Sequence, residues 1–320
     1  MNTKDELLKI LSLKLRTIMG KLTLEFDKLQ EIRLRMNAPL LIIYGNKEAF
    51  ITEDAKMVDN PSKAVLITKN EIRETMEYIS NYSLYAFEEE IRQGFITING
   101  GHRIGIAGKI IIEDDVIKGM KHISFINIRL AHQVKGCADP VLPYLINKQA
   151  FGIYHTLIIS PPRCGKTTLL RDIIRQLSDG SQYQEGMSVG VVDERSEIGA
   201  CYMGTPQNEL GIRTDILDCC PKAKGMMMLI RSMSPQIIAV DEIGSKEDLD
   251  AIDYVIGCGC KLIATVHGNS LEDIRNKPTL SELVKKRLFE RYVILSNVKG
   301  IGHLEEIYDT DGKRLYTTLK

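Results

Sequence analysis

The chain has 320 residues, of which 44% are hydrophobic and 26% charged, a composition typical of a globular protein of about two domains rather than a disordered or fibrous one. It carries 42 basic and 42 acidic residues, so no overall field favours nucleic acid or an anionic membrane as a partner. The seven cysteines are odd in number and never spaced CxxC, which indicates reduced thiols rather than a disulfide framework or a zinc ribbon.

The first 20 residues predict one amphipathic helix. Leucines recur at Leu7, Leu11 and Leu15, while Lys9 and Lys14 interrupt the apolar run, unlike the core of a signal peptide. We expect this helix to be cytoplasmic and to dock on the protein's own core. No stretch of the chain approaches the roughly 20 apolar residues of a membrane span.

Residues 1–136 predict a smaller domain of mixed α and β structure. Alternating apolar and charged residues over 31–36 predict a half-buried strand, and Gly45-Asn46 between two apolar runs predicts a hairpin. Thr68 and Glu71 have the spacing of a capping box that begins a helix. Further strands are predicted at residues 95–98, 103–107, 110–112, 116–117 and 123–130.

Residues 137–320 predict a second domain with a parallel sheet and helices on both of its faces. Gly136 marks the joint, after which Asp139 is placed to cap a helix and Pro140 to occupy its first position. Short apolar runs, each suited to a strand buried on both faces, then alternate with helical stretches. These runs lie at residues 156–159, 189–192, 237–240 and 262–265.

The segment SPPRCGKTT follows the first of these runs and precedes a helical stretch, which is the strand, loop and helix order of a P-loop. A phosphate cradle needs backbone N–H groups at a helix start, a lysine for the phosphates and a hydroxyl for magnesium. Gly165, Lys166 and Thr167 occupy these positions, while Ser160 replaces the usual first glycine. We therefore expect ATP and Mg²⁺ as cofactors. The predicted nucleotide-binding residues are Ser160, Pro161, Pro162, Arg163, Cys164, Gly165, Lys166, Thr167 and Thr168.

The run QIIAVDE is an apolar strand that ends in two acids, as in a Walker B motif. Asp241 and Thr167 are the predicted magnesium residues, with Asp241 acting through water. Glu242 is the predicted catalytic base that polarises the attacking water.

A further group of polar residues lies within the run ATVHGNS, where the predicted strand ends. In an open parallel sheet, ligands lie beyond the carboxyl ends of the strands, so Thr265 or His267 is placed to sense the γ-phosphate. His267 is the residue that we include among the predicted catalytic residues.

Charged residues also end the strand run VVDERSE. Glu194 is a candidate for positioning water or metal, and an alternative is that it forms a structural salt bridge with Arg195. Arg213 and Arg231 are candidates for arginines that reach the phosphates, including across a subunit interface, and the sequence does not choose between them.

The segments SPPRCGKTT, VVDERSEI, IIAVDEIG and ATVHGNS together closely resemble a sporulation branch of the secretion-ATPase superfamily, and EIRLRMNAPL and GGHRIGIAGK extend the resemblance over most of the chain. Type II and type IV secretion ATPases are similar in having an acidic box, a Walker B region and a histidine box. Asp193-Glu194, Asp241-Glu242 and residues 265–269 match these here, although the relatives commonly have glycine where this chain has Asp241. The resemblance implies a RecA-like ATPase domain and a homohexamer. It also implies integral membrane partners in a sporulation channel complex, and a peripheral position at the cytoplasmic face of that membrane.

Two alternatives to a mechanochemical ATPase remain open at this point. One is a nucleic-acid motor, which the neutral net charge and the lack of an appended basic domain disfavour. The other is a scaffold that binds ATP but hydrolyses it negligibly, which the presence of both Asp241 and Glu242 disfavours.

Overall fold

The structure is a computed structural model and describes residues 3–83, 87–147, 149, 152–298, 300 and 302–318. The chain divides into two compact units, Met1–His132 and Gln133–Lys320, which we call the N-terminal unit and the C-terminal unit. The sequence predicts a domain boundary between residues 136 and 137, and this domain boundary remains a prediction. None of the helices in the described part of the chain has the length and apolar character needed to span a membrane.

The helices of the N-terminal unit surround one antiparallel sheet. Its helices are α1 (Thr3–Ile10), α2 (Leu13–Lys21), α3 (Lys69–Ile79) and α4 (Glu88–Gln93). Its strands are β1 (Leu29–Arg35), β2 (Leu41–Tyr44), β3 (Lys47–Ile51), β4 (Met57–Val58), β5 (Phe95–Thr97), β6 (Arg103–Glu113) and β7 (Val116–Arg129). The strand order is β4-β3-β2-β1-β7-β6-β5.

The N-terminal amphipathic stretch forms two helices, so the prediction of a single helix is wrong. The break lies at Ser12, whose hydroxyl accepts a hydrogen bond from the Leu15 N–H at 3.4 Å and so caps α2. The expected docking on the protein's own core is confirmed, because apolar side chains of both helices are almost fully buried. These are Leu7, Leu15, Ile18 and Met19.

Three predictions made from short sequence patterns in the N-terminal half are confirmed: the half-buried strand, the hairpin turn and the capping box. Ile32 and Leu34 are fully buried in β1, and Gly45 and Asn46 adopt φ values of 55° and 65° in the turn between β2 and β3. Thr68 and Glu71 form the predicted capping box at the start of α3.

The strands predicted between residues 103 and 130 are confirmed as strand structure, but they are not separate, because they join into two long strands, β6 and β7, which pair along this stretch. A bulge beside Gly108 interrupts their register. A Cβ at Gly108 would lie 2.8 Å from the carbonyl oxygens of Lys121 and His122, so the glycine allows a close approach of the two backbones rather than ending a strand.

The C-terminal unit contains a mainly parallel sheet. Its helices are α5 (Leu142–Leu145), α6 (Lys166–Asp179), α7 (Lys222–Ser232), α8 (Lys246–Gly257), α9 (Leu271–Asn276) and α10 (Pro278–Lys285). Its strands are β8 (Ile146–Asn147), β9 (Gly152–Ile153), β10 (Thr156–Ser160), β11 (Val189–Asp193), β12 (Thr214–Asp218), β13 (Ile237–Val240), β14 (Lys261–His267), β15 (Arg291–Ser296), β16 (His303–Asp309) and β17 (Arg314–Thr317).

The main sheet has the order β12-β11-β13-β14-β10-β15-β16-β17. Neighbouring strands run parallel in the first part of this sheet, which consists of β12, β11, β13, β14, β10 and β15. Strands β16 and β17 are antiparallel additions at one edge. Successive residues of the central strands enter two different cores. Ile158 packs in the core that contains Leu170 of α6, while Leu157 and Ile159 pack in the core that contains Leu249 of α8. Helices therefore cover both faces of the sheet, as the continuous apolar runs predict.

The predicted helix start at Asp139 and Pro140 is wrong. These residues lie in turns, and α5 begins only at Leu142. The Asp139 carboxylate instead accepts a hydrogen bond from the Gln176 side-chain amide at 2.7 Å.

Candidate nucleotide site

Four neighbouring parallel strands, β11, β13, β14 and β10, end at the same edge of the C-terminal sheet. Since each of these strands ends immediately before a polar motif, the predicted P-loop, acidic box, Walker B pair and histidine come together at this edge. Most of the predicted site residues meet here, and two arginines do not.

The P-loop connects β10 to α6. Gly165 precedes the helix with a φ of 82°, in the left-handed region that favours glycine, and Lys166 is the first helical residue. The helix start directs unpaired N–H groups towards the loop, which favours an anion there. Cys164 is buried beneath the loop, whereas Pro162 and Arg163 are exposed.

Ser160, the irregular member of the motif, is a fully buried strand residue rather than part of the open loop. Its hydroxyl donates to the Pro161 carbonyl at 2.9 Å. Its own carbonyl accepts the Gly268 N–H at 3.1 Å, which ties the P-loop strand to the segment that follows β14. Ser160 therefore fixes where the loop begins.

Asp241 is held by two hydroxyl groups. The Thr167 hydroxyl donates to Asp241 Oδ2 at 2.6 Å, and the Thr265 hydroxyl donates to Asp241 Oδ1. Thr265 Oγ1 also accepts the Glu242 N–H at 2.9 Å. Thr265, fully buried, thus orients both Walker B acids through one hydroxyl.

Three cationic or polar side chains converge on the carboxylate of Glu242. Lys166 Nζ and His267 Nε2 both contact Oε1, the histidine at 3.0 Å, and Arg195 contacts Oε2 at 3.1 Å. Burial would raise the pKa of Glu242, but the hydrogen bond and charge of Lys166, helped by His267 and Arg195, bring it below its ordinary value. Glu242 is therefore ionised at neutral pH. Its backbone has a φ of 54°, a left-handed conformation that is uncommon without glycine.

Glu194 pairs with Lys222, the first residue of α7, so the alternative in which Arg195 is its partner is wrong. The Arg195 guanidinium bridges Glu197 at 3.2 Å and Glu242 at 3.1 Å instead. Sequence reasoning did not identify Lys222, because only the fold brings the start of α7 beside the end of β11.

Arg213 and Arg231 do not reach this edge in the same chain. Arg213 immediately precedes β12, and its guanidinium donates to the Ser178 carbonyl near the end of α6 at 2.9 Å. Arg231 is exposed in the last turn of α7, which leads to the start of β13. Both arginines therefore lie towards the edge of the sheet where the strands begin.

The acidic loop, residues 193–199, is fixed by Asp193 and by Arg171, of which sequence reasoning did not assign Arg171. The Asp193 carboxylate accepts N–H groups of residues 197–199 at 2.9, 2.8 and 2.8 Å. Arg171 of α6 donates to two carbonyl groups of the same loop at 2.7 and 2.9 Å. Burial raises the pKa of Asp193 to about 6 despite these hydrogen bonds. Sequence reasoning had no signal for Arg171, because helical spacing places it outside the buried apolar face of α6 and only the fold brings the acidic loop beside it.

The oxygen groups at this edge suit magnesium better than a softer metal. Mg²⁺ is typically bound by one or two protein oxygen ligands together with water and substrate phosphates. Thr167 and Asp241 supply a hydroxyl and a carboxylate 2.6 Å apart beside the P-loop. In the described part of the chain, no cluster of three or more His, Cys, Asp or Glu side chains is arranged to hold a metal ion.

Comparison with known proteins finds relatives of one family over nearly the whole chain. The model of the family described as sporulation stage III, protein AA matches residues 1–315. The chain is 42% identical over 296 residues to stage III sporulation protein AA of Bacillus subtilis (strain 168), covering 91% of this chain and 90% of that protein.

Two solved structures share the fold. The Legionella pneumophila ATPase DotB aligns with a TM-score of 0.55 and 15% identity, covering 91% of this chain and 76% of DotB. The pilus retraction motor PilT with bound ADP aligns with a TM-score of 0.52 and 12% identity, covering 83% of this chain and 74% of PilT. At these identities the likeness concerns the fold, and it confirms the predicted class, an ATPase sheet preceded by mixed α and β structure.

Proposed function

The chain belongs to the stage III sporulation protein AA family, and from this premise we propose that it hydrolyses ATP to drive or assemble a membrane complex during endospore formation. The observation that carries the proposal is the direct contact between the P-loop and the Walker B pair. Lys166 contacts Glu242, and Thr167 donates to Asp241 at 2.6 Å. Those four residues are the ones that phosphate transfer to water requires.

Each residue has a defined part in the proposed reaction. Lys166 leaves Glu242 and binds the terminal phosphates of ATP, which lie at the start of α6. Mg²⁺, held by Thr167 and through water by Asp241, would neutralise charge on the β- and γ-phosphates. Glu242, released from Lys166, accepts a proton from the water that attacks the γ-phosphorus, while the bond from that phosphorus to the β–γ bridging oxygen breaks and ADP leaves with this oxygen.

The remaining predicted residues surround this centre. His267 contacts the same Glu242 oxygen as Lys166, so it is placed to respond to the γ-phosphate. Glu194, oriented by Lys222, is proposed to position water or metal. Arg213 and Arg231 lie away from the site in their own chain, so we propose that they contact a nucleotide only if a neighbouring subunit presents it.

We propose a homohexamer that works at the cytoplasmic face of a membrane with integral membrane partners of a sporulation channel. The support is family membership together with the fold shared with DotB, named an ATPase, and PilT, named a pilus retraction motor. Sedimentation velocity of the purified protein at several concentrations, with and without ATP and Mg²⁺, tests the assembly. A species that stays monomeric at high concentration with both present contradicts a site built between subunits.

Phosphate release by the purified protein tests the enzymatic proposal. We expect Lys166→Ala and Glu242→Gln each to lower the rate at least about 100-fold, because one removes the phosphate-binding cation and the other the base. Lys286→Ala is the control, since Lys286 is half exposed and pairs with Asp253 on the surface at 2.7 Å. Equal background rates in the unmodified protein and both site variants would reject hydrolysis and favour a scaffold. Strong stimulation by single-stranded DNA or RNA would favour a nucleic-acid motor.

A further inference from the structure

Arg195 is the arginine that the fold brings to the Walker B glutamate within one chain. Its guanidinium spans two carboxylates, with one amino group 3.1 Å from Glu242 Oε2 and the other 3.2 Å from Glu197 Oε1. The side chain is 58% exposed, so its geometry depends on these contacts rather than on burial.

Hydrogen bonds fix the backbone of the loop that carries Arg195. The Asp193 carboxylate binds three N–H groups of the acidic loop, and Arg171 binds two of its carbonyl groups. Ser196, next to Arg195, adopts a φ of 51° and accepts the Cys201 N–H on its hydroxyl at 3.1 Å. The loop therefore presents Arg195 from a fixed point at the end of β11.

The two oxygens of the Glu242 carboxylate have different partners. Oε1 contacts Lys166 and His267, whereas Oε2 contacts Arg195. When Lys166 transfers to nucleotide phosphates, Oε1 loses its strongest contact and becomes available to water. Oε2 keeps its partner, because the Arg195 contact does not involve the P-loop.

We propose that Arg195 is a positioning residue, which holds Oε2 of Glu242 so that Oε1 faces the attacking water once Lys166 has moved to the nucleotide. This inference rests on the proposed ATPase function and goes beyond it, since it assigns the orientation of the base to a residue of the acidic loop. A planar guanidinium suits the task, because two of its amino groups reach two carboxylates at once. A lysine ammonium is a point charge and would orient Glu242 less well.

Single-turnover ATP hydrolysis by Arg195→Gln, Arg195→Lys and the unmodified protein tests this assignment. We expect Arg195→Gln to lower the rate of the chemical step about 10- to 100-fold, by analogy with the range seen when a group that orients a metal ligand is lost. The affinity for ATP should change less than about threefold, since Arg195 acts on the base and not on the phosphates. Arg195→Lys should recover part of the rate. Arg287→Gln is the matched control, because Arg287 is 68% exposed and pairs with Asp311 at the surface.

A double substitution separates action through Glu242 from other effects. In the Glu242→Gln background, adding Arg195→Gln should leave the residual rate unchanged, because the carboxylate that Arg195 holds is already gone. Thermal melting of each variant, followed by circular dichroism, establishes that the variants are folded. If Arg195→Gln proves unfolded, Arg195→Lys and Glu197→Gln, which removes the second carboxylate contact, carry the same test with a smaller expected loss of rate.

Several results would overturn the assignment. A rate equal to that of the unmodified protein, or a faster one, would show that Arg195 does not assist Glu242. A large loss of ATP affinity with an unchanged chemical step would show direct phosphate binding instead. An additional loss in the Glu242→Gln background would show action through another group. Failure of the proposed function looks different, because the unmodified protein would then hydrolyse ATP no faster than Lys166→Ala.

Discussion

Thr265→Val removes one hydroxyl that serves both Walker B acids and leaves the shape of the side chain almost unchanged. The hydroxyl donates to Asp241 Oδ1 and accepts the Glu242 N–H at 2.9 Å, and Thr265 is fully buried. The substitution therefore leaves one partly buried acceptor and one partly buried N–H group without this partner. Loss of such a hydrogen bond costs about 1 to 3 kcal/mol when the remaining group stays buried. We take about 3 kcal/mol for the pair, near the lower end of the summed range, because both groups are only partly buried and Asp241 keeps its bond to Thr167.

A loss of this size corresponds to a fall in the melting temperature of roughly 6 to 12 °C for a unit as large as the C-terminal one. Circular dichroism is the suitable probe, since the chain contains no tryptophan. Thr265→Ser is the control, because serine keeps the hydroxyl and loses only a methyl group. ATP hydrolysis should fall with Thr265→Val as Glu242 and Asp241 lose their shared anchor. A melting temperature within 2 °C of the unmodified protein, or an equal loss with Thr265→Ser, would refute the role given to this hydroxyl, where 2 °C corresponds to about 0.5 to 1 kcal/mol.

Two further predictions concern the N-terminal unit. Burial and the neighbouring His132 lower the pKa of His102 from its ordinary 6.5 to about 4, so the histidine stays neutral in the folded protein while the unfolded chain takes up a proton. Its contribution to the free energy of unfolding is present above pH 6.5 and is lost as the pH falls towards about 4, by roughly 3 kcal/mol in all. His102→Gln should flatten this slope in urea titrations between about pH 7 and pH 4, and an unchanged slope would contradict it. Gly108→Ala should destabilise the protein by about 1 to 3 kcal/mol, because its Cβ would press on two carbonyl oxygens. Gly119→Ala, with open space around the added atom, should be near neutral in the same urea titration, and equal effects of the two would contradict the close approach.

The sequence predicts best those elements whose pattern reflects burial on both faces. Strand β13 lies at the predicted residues, since all four of its residues are buried. Strand β12 was not predicted, because its half-buried residues show no clear pattern and its place depends on pairing with β11. The two N-terminal helices were merged, although Ser12 followed by an apolar periodic stretch is a recognisable N-cap signal.

The site follows the same division. Motif order places Lys166, Thr167, Asp241 and Glu242 correctly at one edge, because strand direction decides where a strand-end residue lies. The partners of Glu194 and Arg195 were beyond the sequence, since both residues follow one strand and only the neighbouring elements decide which charge each one meets. The spacing of residues along the sequence also could not show whether Arg213 lies at the sheet edge that carries the candidate nucleotide site.

The positions of the arginines connect the proposed hydrolysis to the proposed assembly. Arg195 reaches Glu242 from its own chain, on the side of the carboxylate opposite to Lys166. It therefore serves the base and leaves the phosphates to other cations. Arg213 and Arg231 lie at the edge where strands begin, so either one contacts a phosphate only when a second chain brings its sheet edge to this site. If turnover needs such an arginine, full activity requires the oligomer, while the contacts of Glu242 with Lys166 and Arg195 are already complete in a single chain.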